Sequence, residues 1–195
     1  MTMVKMLKRI YVWLTRSPHS RGFGVQSPSA YRFIRYVINE HYPYYAYKDL
    51  SSLGYADGKK HLFELYFRLV NDLQPDSWIE YPDFNDHSKE YVAAGCKKVN
   101  IVTLEDIKKL SQFPLPSIIR VSAKDLSAEQ IIPCFSQVNT HSLLVVEDIH
   151  FNNHCRQLWQ KLQEDQHTGI SYDLYYVGLL FFDRSLYKQH YIVNF

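Results

Sequence analysis

Over residues 76–195 the chain alternates short, continuously apolar runs with stretches whose apolar positions recur every three or four residues. The runs fall at 78–81, 99–104, 117–121 and 142–146, lengths that predict buried strands. The stretches between and after them, 86–94, 106–113, 127–135 and 153–163, predict helices, the first stopped by Gly95. In the last of these, Cys155, Leu158, Trp159 and Leu162 share one face. Strands alternating with helices predict a parallel sheet wound by right-handed crossovers. Residues 170–175, 177–182 and 191–193 read as strands with no helix between them, which adds an antiparallel edge.

Two helices are predicted ahead of the sheet. Ser27-Pro28 opens the first, with a serine cap and a proline at a position where its missing N–H costs nothing. Tyr31, Ile34, Val37 and Ile38 are then expected on one face, and the run of residues 42–47, YPYYAY, breaks the pattern at Pro43. Asp57-Gly58 is expected to open the second, in which Leu62, Tyr66, Leu69, Val70 and Leu73 recur until Gln74-Pro75 ends it. The chain thus divides into residues 1–75, a basic arm and helices packed on the same domain, and residues 76–195, the α/β sheet. It contains no repeat, no low-complexity stretch and no linker that would split it.

Composition narrows the class. With 195 residues, 46% apolar side chains and 22% charged ones, the chain is long enough to bury roughly 70% of its unfolded surface, which excludes disorder as the default. Cys96, Cys134 and Cys155 have no zinc-like spacing and read as buried small hydrophobes in a reducing compartment. No apolar run reaches the length of a membrane span, and the short patch 10–14 lacks a signal-peptide core, so a cytoplasmic location is expected. The sixteen tyrosines read as amphipathic packing groups with wet hydroxyls rather than as a stacking platform.

Charge changes the picture at one end. Residues 1–48 carry Lys5, Lys8, Arg9, Arg16, Arg21, Arg32, Arg35 and Lys48 against the single acid Glu40, a balance of +7, which leaves −5 for the remainder. Such an arm can dock on its own body, on a second copy or on a protein partner; nucleic acid is the less favoured partner. Ile10, Tyr11, Trp13 and Leu14 lie between the positive charges, so docking on a partner or on a lipid interface is open as well.

Ligands of open α/β sheets bind beyond the carboxyl ends of the strands. Three acidic endings stand there: Glu80, Glu105 and the pair Glu147-Asp148. Carboxylates at strand ends suit the hydroxyls and amino group of a nucleoside-like ligand, and they also serve as helix caps. His150 and His154 stand four apart at a strand-to-helix turn without the general base of an H-E-x-x-H pattern, and His150 reads as a structural hydrogen-bonding residue. His190 is read the same way. No Ser/His/Asp, Cys/His or P-loop pattern is present.

The segments RSPHSRGFGVQSPSAY (16–31), VVEDIHF (145–151), YDLYYVGLLFF (172–182) and KQHYIVNF (188–195) resemble a bacterial branch of the class I S-adenosylmethionine-dependent methyltransferases, close to the small-molecule O-methyltransferases. The resemblance implies a Rossmann-like fold, here reduced. Only residues 106–117 separate Glu105 from Ile118, room for one short crossover where the full fold has two, so a strand-helix unit is expected to be missing. The family's first strand ends in an acid followed by a glycine-rich turn, because the backbone must approach the cofactor closely. Here the segment reads Glu80-Tyr81-Pro82-Asp83-Phe84-Asn85-Asp86: the acid is kept and both glycines are gone. Asp86 also places a carboxylate where the cofactor's own would lie, near a helix N-terminus. In metal-dependent members a third carboxylate follows the fourth strand; here that position is Ser122, so no metal is expected. The resulting expectation is a degenerate methyltransferase-like protein without catalytic activity or cofactor, acting as a binding or interaction module. Were it active on a small molecule, S-adenosylmethionine would be the cofactor, with Glu80 on its amino group, Glu105 on its ribose hydroxyls and Asp148 placing or deprotonating the acceptor.

Overall fold

The computed structural model describes residues 3–53, 59–185 and 187–195. By internal contacts they form two compact units, and the chain passes between them at 74/75, 85/86, 97/98 and 192/193. One comprises the described residues within 1–74, 86–97 and 193–195, and the other those within 75–85 and 98–192.

The first unit is helical. Its elements are α1 (Met3–Arg16), a 3-10 segment (Ser17–Gly22), α2 (Pro28–Phe33), α3 (Ala46–Leu50), α4 (Lys60–Leu73) and α5 (Ser88–Gly95). The Ser27 hydroxyl caps α2 by accepting from Ala30 N at 3.4 Å, as its sequence predicts. The helix then widens into a π-helical turn, Ile34–Ile38, which buries Ile34, Val37 and Ile38. Tyr31, expected on that face, remains 43% exposed instead. The closing carbonyls of the widened turn are satisfied by a buried cation: Arg68 Nε donates to Val37 O (2.7 Å) and Nη2 to Ile38 O (3.1 Å).

The expected opening of the second helix, Asp57-Gly58, lies outside the described residues. From Lys60 the helix runs as predicted and ends at Gln74, which takes the left-handed conformation (φ 45°) before Pro75. Gly95 is the last residue of α5 and is needed for close packing on α4, since a Cβ there would lie 2.5 Å from Phe67 O. The tyrosine-rich stretch packs as a group with wet edges. Tyr44 and Tyr47 meet Phe67 at ring separations of 5.0 and 5.1 Å, while Tyr42 and Tyr45 face solvent. Burial pushes the Tyr47 hydroxyl up to about 12 against the opposing pull of Arg68.

The second unit holds a seven-stranded sheet: β1 (Ser77–Tyr81), β2 (Asn100–Thr103), β3 (Ser117–Ser122), β4 (Leu143–Glu147), β5 (Ile170–Asp173), β6 (Val177–Phe181) and β7 (Gln189–Ile192). Their order is β2-β1-β3-β4-β6-β5-β7. β2, β1, β3 and β4 run parallel, and β6 is antiparallel to both β4 and β5. β7 lies parallel to β5, so the carboxyl edge is mixed rather than wholly antiparallel. One short 3-10 crossover, Ile107–Gln112, leads from the edge strand β2 to β3, the reduction predicted from the chain length there.

Period-two alternation sorts the strands' side chains. Ile79, Ile119, Val121, Leu144, Val146 and Leu180 point into one apolar core, covered by the 3-10 crossover, α6 (Ala128–Ile131) and α7 (Asn153–Glu164). The segment expected as one helix over 127–135 is instead α6 followed by a 3-10 stretch, Ile132–Gln137, because Pro133 supplies no N–H to continue the α-helical ladder. α7 is capped by Asn152 Oδ1, which accepts from Cys155 N at 2.8 Å. It buries Cys155, Leu158, Trp159 and Leu162 as the spacing predicts. All three cysteines are buried and unbridged.

Candidate functional site

The same alternation puts Trp78 and Glu80 of β1, Arg120 of β3 and Glu147 of β4 on the face of the sheet opposite that core. Register sets Glu80 directly beside Arg120. Arg120 Nη1 donates to Glu80 Oε1 at 2.9 Å, while Nε and Nη2 lie 2.7 and 2.5 Å from Glu147 Oε1. Trp78 Nε1 also donates to Glu80 Oε1, at 2.9 Å. The Arg120 and Glu80 side chains are fully buried, and Glu147 is nearly so. A buried charge is tolerated only when it is paired and hydrogen-bonded, and Arg120 meets that requirement through both carboxylates.

The loop after β1 closes over this group. Phe84 lies with its ring 3.6 Å from the Arg120 guanidinium carbon, a cation–π stack. Asn85 adopts φ 44°, a conformation asparagine tolerates, and its N–H donates to Asp83 Oδ1 at 3.1 Å. In the helical unit, Asp86 Oδ1 accepts from Ser88 N (3.1 Å) and Oδ2 from Lys59 Nζ (2.9 Å), so the first turn of α5 already carries a carboxylate.

The other predicted acids lie apart from this cluster. The Glu105 side chain is 90% exposed and pairs with Lys109 at 3.1 Å. Asp148 sits in the left-handed region (φ 62°) and pairs with Lys124 Nζ at 2.6 Å; Lys124 also lies 4.1 Å from the Phe151 ring centroid. Ser122 ends β3 opposite Glu147, and its hydroxyl accepts from Lys124 N at 3.2 Å. Among the described residues, no group of three or more His, Cys, Asp or Glu side chains is placed to hold a metal ion.

The two histidines of the turn after β4 diverge. His150 Nε2 lies 2.7 Å from Asp173 Oδ2 and its ring stacks on Tyr175, whereas His154 Nε2 lies 3.2 Å from Leu126 O. Asp173 Oδ1 accepts from Tyr175 N at 2.8 Å, and Tyr175 is held at φ 74°. These contacts fasten the β5–β6 turn to the segment following β4 and maintain a backbone conformation costly for a bulky residue.

Sequence reading found the acids but missed Arg120, Phe84, Lys124 and Asp173. The signal for Arg120 was present: a lone cation inside the apolar run Ser117–Ser122 must find anions on adjacent strands.

The sequence matches no protein-family model and no curated protein sequence. Solved structures do match the fold. The SAH-bound methyltransferase PaMTH1 of Podospora anserina superposes with a TM-score of 0.53 at 11% identity, over 80% of this chain and 96% of that one. A methyltransferase from Geobacter sulfurreducens gives 0.51 at 9% identity, over 71% and 87% of the two chains. Cofactor-bound Rv0187 from MTB gives 0.50 at 10% identity, over 71% and 88%. The fold is therefore class I methyltransferase-like, a reduced Rossmann-like sheet with a mixed carboxyl edge.

The residues present do not fit S-adenosylmethionine in the way that class holds it. Glu80, which would receive the amino group, is fully buried and bonded to Arg120 and Trp78. The turn that would admit the cofactor's backbone-hugging end carries Pro82 and Asp86 in place of glycine.

Proposed function

We propose that this protein is a catalytically inactive, methyltransferase-fold binding module that uses no S-adenosylmethionine. The observation that carries this reading is the Arg120 bridge between Glu80 and Glu147, covered by Phe84. A cofactor amino group at Glu80 would have to share a fully buried carboxylate whose Oε1 already accepts from Arg120 and Trp78, beneath a loop that stacks Phe84 on that guanidinium. The buried acids at the carboxyl end of the sheet thus already share a cation of the protein's own, and function falls to the surface.

Thermal unfolding with and without about 1 mM S-adenosylhomocysteine tests this. A ligand bound at about 10 μM would stabilise the fold by about 2.7 kcal/mol and raise Tm by several degrees. The expected result is an unchanged Tm, and a rise of that size would overturn the reading.

One observation favours the competing reading of an active enzyme with an altered pocket. Glu105 stands at the end of β2 with its carboxylate open to solvent, where ribose hydroxyls could reach it. Under that reading Glu105→Ala lowers S-adenosylhomocysteine affinity more than about tenfold, the loss expected for a charged hydrogen bond.

A further inference from the structure

Helix α1 presents its apolar side to water. Leu7, Ile10 and Leu14 recur at three- and four-residue spacing, and Trp13 falls beside Ile10 on the same side of the helix. These four side chains are 44% to 59% exposed, and the flanking Tyr11 is 68% exposed. Val12, on the opposite side, is buried. The helix is held from elsewhere: Arg16 Nη1 donates to Val193 O and Asn194 Nδ2 to Trp13 O, each at 3.5 Å, and Asn194 N donates to His19 O at 3.2 Å. These bonds leave the apolar stripe outward. A few residues on, Phe23 is 83% exposed between Gly22 and Gly24, both at positive φ near 78°, a turn that holds the ring off the surface.

The charge of α1 has a single sign. Its fourteen residues include Lys5, Lys8, Arg9 and Arg16 and no acid, and the first acid in the chain is Glu40. A symmetric contact between two copies of α1 would set four positive charges against four more. Nucleic acid would engage the charges and leave the apolar stripe wet. An anionic bilayer surface accepts both, with the stripe among the acyl chains and the cations among the headgroups. At about 1.5 Å per residue α1 is about 21 Å long, short of the roughly 30 Å hydrocarbon core, so it suits lying in the interface rather than crossing it. Among the described residues no helix is long and apolar enough to cross a membrane.

We propose that α1 docks the protein on an anionic lipid surface, lying in the plane of the interface with Leu7, Ile10, Trp13 and Leu14 inserted. This stands whether or not the sheet binds a cofactor. The test uses the full chain with phosphatidylcholine vesicles, with and without about one-third phosphatidylglycerol, at low salt and at about 0.5 M salt. Trp13 is 59% exposed, whereas Trp78 and Trp159 are buried, so a blue shift of tryptophan emission reports on α1. The expected result is co-sedimentation and a blue shift with the anionic vesicles only, with affinity falling by about tenfold or more at the higher salt.

The double variant Ile10→Asp/Leu14→Asp should keep the wild-type circular dichroism and lose vesicle binding. Trp13→Phe should keep binding and lose the shift. Equal binding to neutral vesicles, no binding to either, or undiminished binding by the double variant would overturn the proposal. Dimerisation abolished by the double variant, in a protein that ignores vesicles, would assign the stripe to a second copy and overturn it equally. Salt-sensitive binding to duplex DNA that survives the double variant, without vesicle binding, would do the same.

Discussion

The carboxyl ends of β1, β3 and β4 and the surface of α1 treat charge in opposite ways. In the sheet one guanidinium is held between two carboxylates and under an aromatic ring inside the protein. On α1 four cations have no acid within the helix, and an apolar stripe faces water. Polar groups enclosed together make architecture, and an apolar stripe that faces water is available for contact.

The sharpest way to break this comparison is to remove the cation that closes the sheet. Arg120→Met leaves Glu80 and Glu147 buried without the cation that lies between them and should cost about 3–5 kcal/mol of stability, read from urea denaturation. A loss below about 1 kcal/mol would mean that the bridge is incidental. Phe84→Ala removes the ring stacked on that guanidinium and should cost about 2 kcal/mol. On the other side, Ile10→Asp/Leu14→Asp changes exposed positions and should leave stability within about 0.5 kcal/mol while abolishing lipid binding.

The smallest effect is a pH dependence at the sheet's carboxyl edge. Burial, and then nearby Lys188, hold His190 below the ordinary histidine value, with its Nδ1 2.7 Å from Ser171 Oγ. The unfolded chain therefore binds the proton more readily. This residue's contribution is complete above about pH 6.5 and is lost as pH falls through its lower folded value. Between about pH 7 and pH 5, Tm should fall more in the wild type than in His190→Gln. Equal falls would remove His190 from the account.

Much of the fold is legible in the sequence because buried strands and amphipathic helices leave strong patterns. The runs behind β1 to β4 and the Cys155/Leu158/Trp159/Leu162 face of α7 lie where periodicity places them. The misses have local causes. Pro133 divides a segment that composition alone would keep helical, and the widened turn after α2 leaves Tyr31 half out of the face it was expected to share. The parallel pairing of β7 with β5 depends on a return path that no residue pattern encodes.

At the site, Glu80 and the lost glycines are visible in one dimension. The partner of Glu80 is not, because Arg120 lies 40 positions away and reaches it only through the register of β1 against β3. Glu105 and Asp148 looked equivalent to Glu80 as strand-end acids. The structure separates them by burial: Glu80 is enclosed, Asp148 is half-covered beside Lys124, and Glu105 stands in solvent.

The most direct test of the central claim, that the protein's own side chains fill the cofactor end of the sheet, is calorimetric titration of the folded full chain with S-adenosylhomocysteine. The account predicts no binding heat up to millimolar ligand. Saturable binding at micromolar strength, weakened by Glu105→Ala, would contradict it and turn attention to an acceptor beside Asp148.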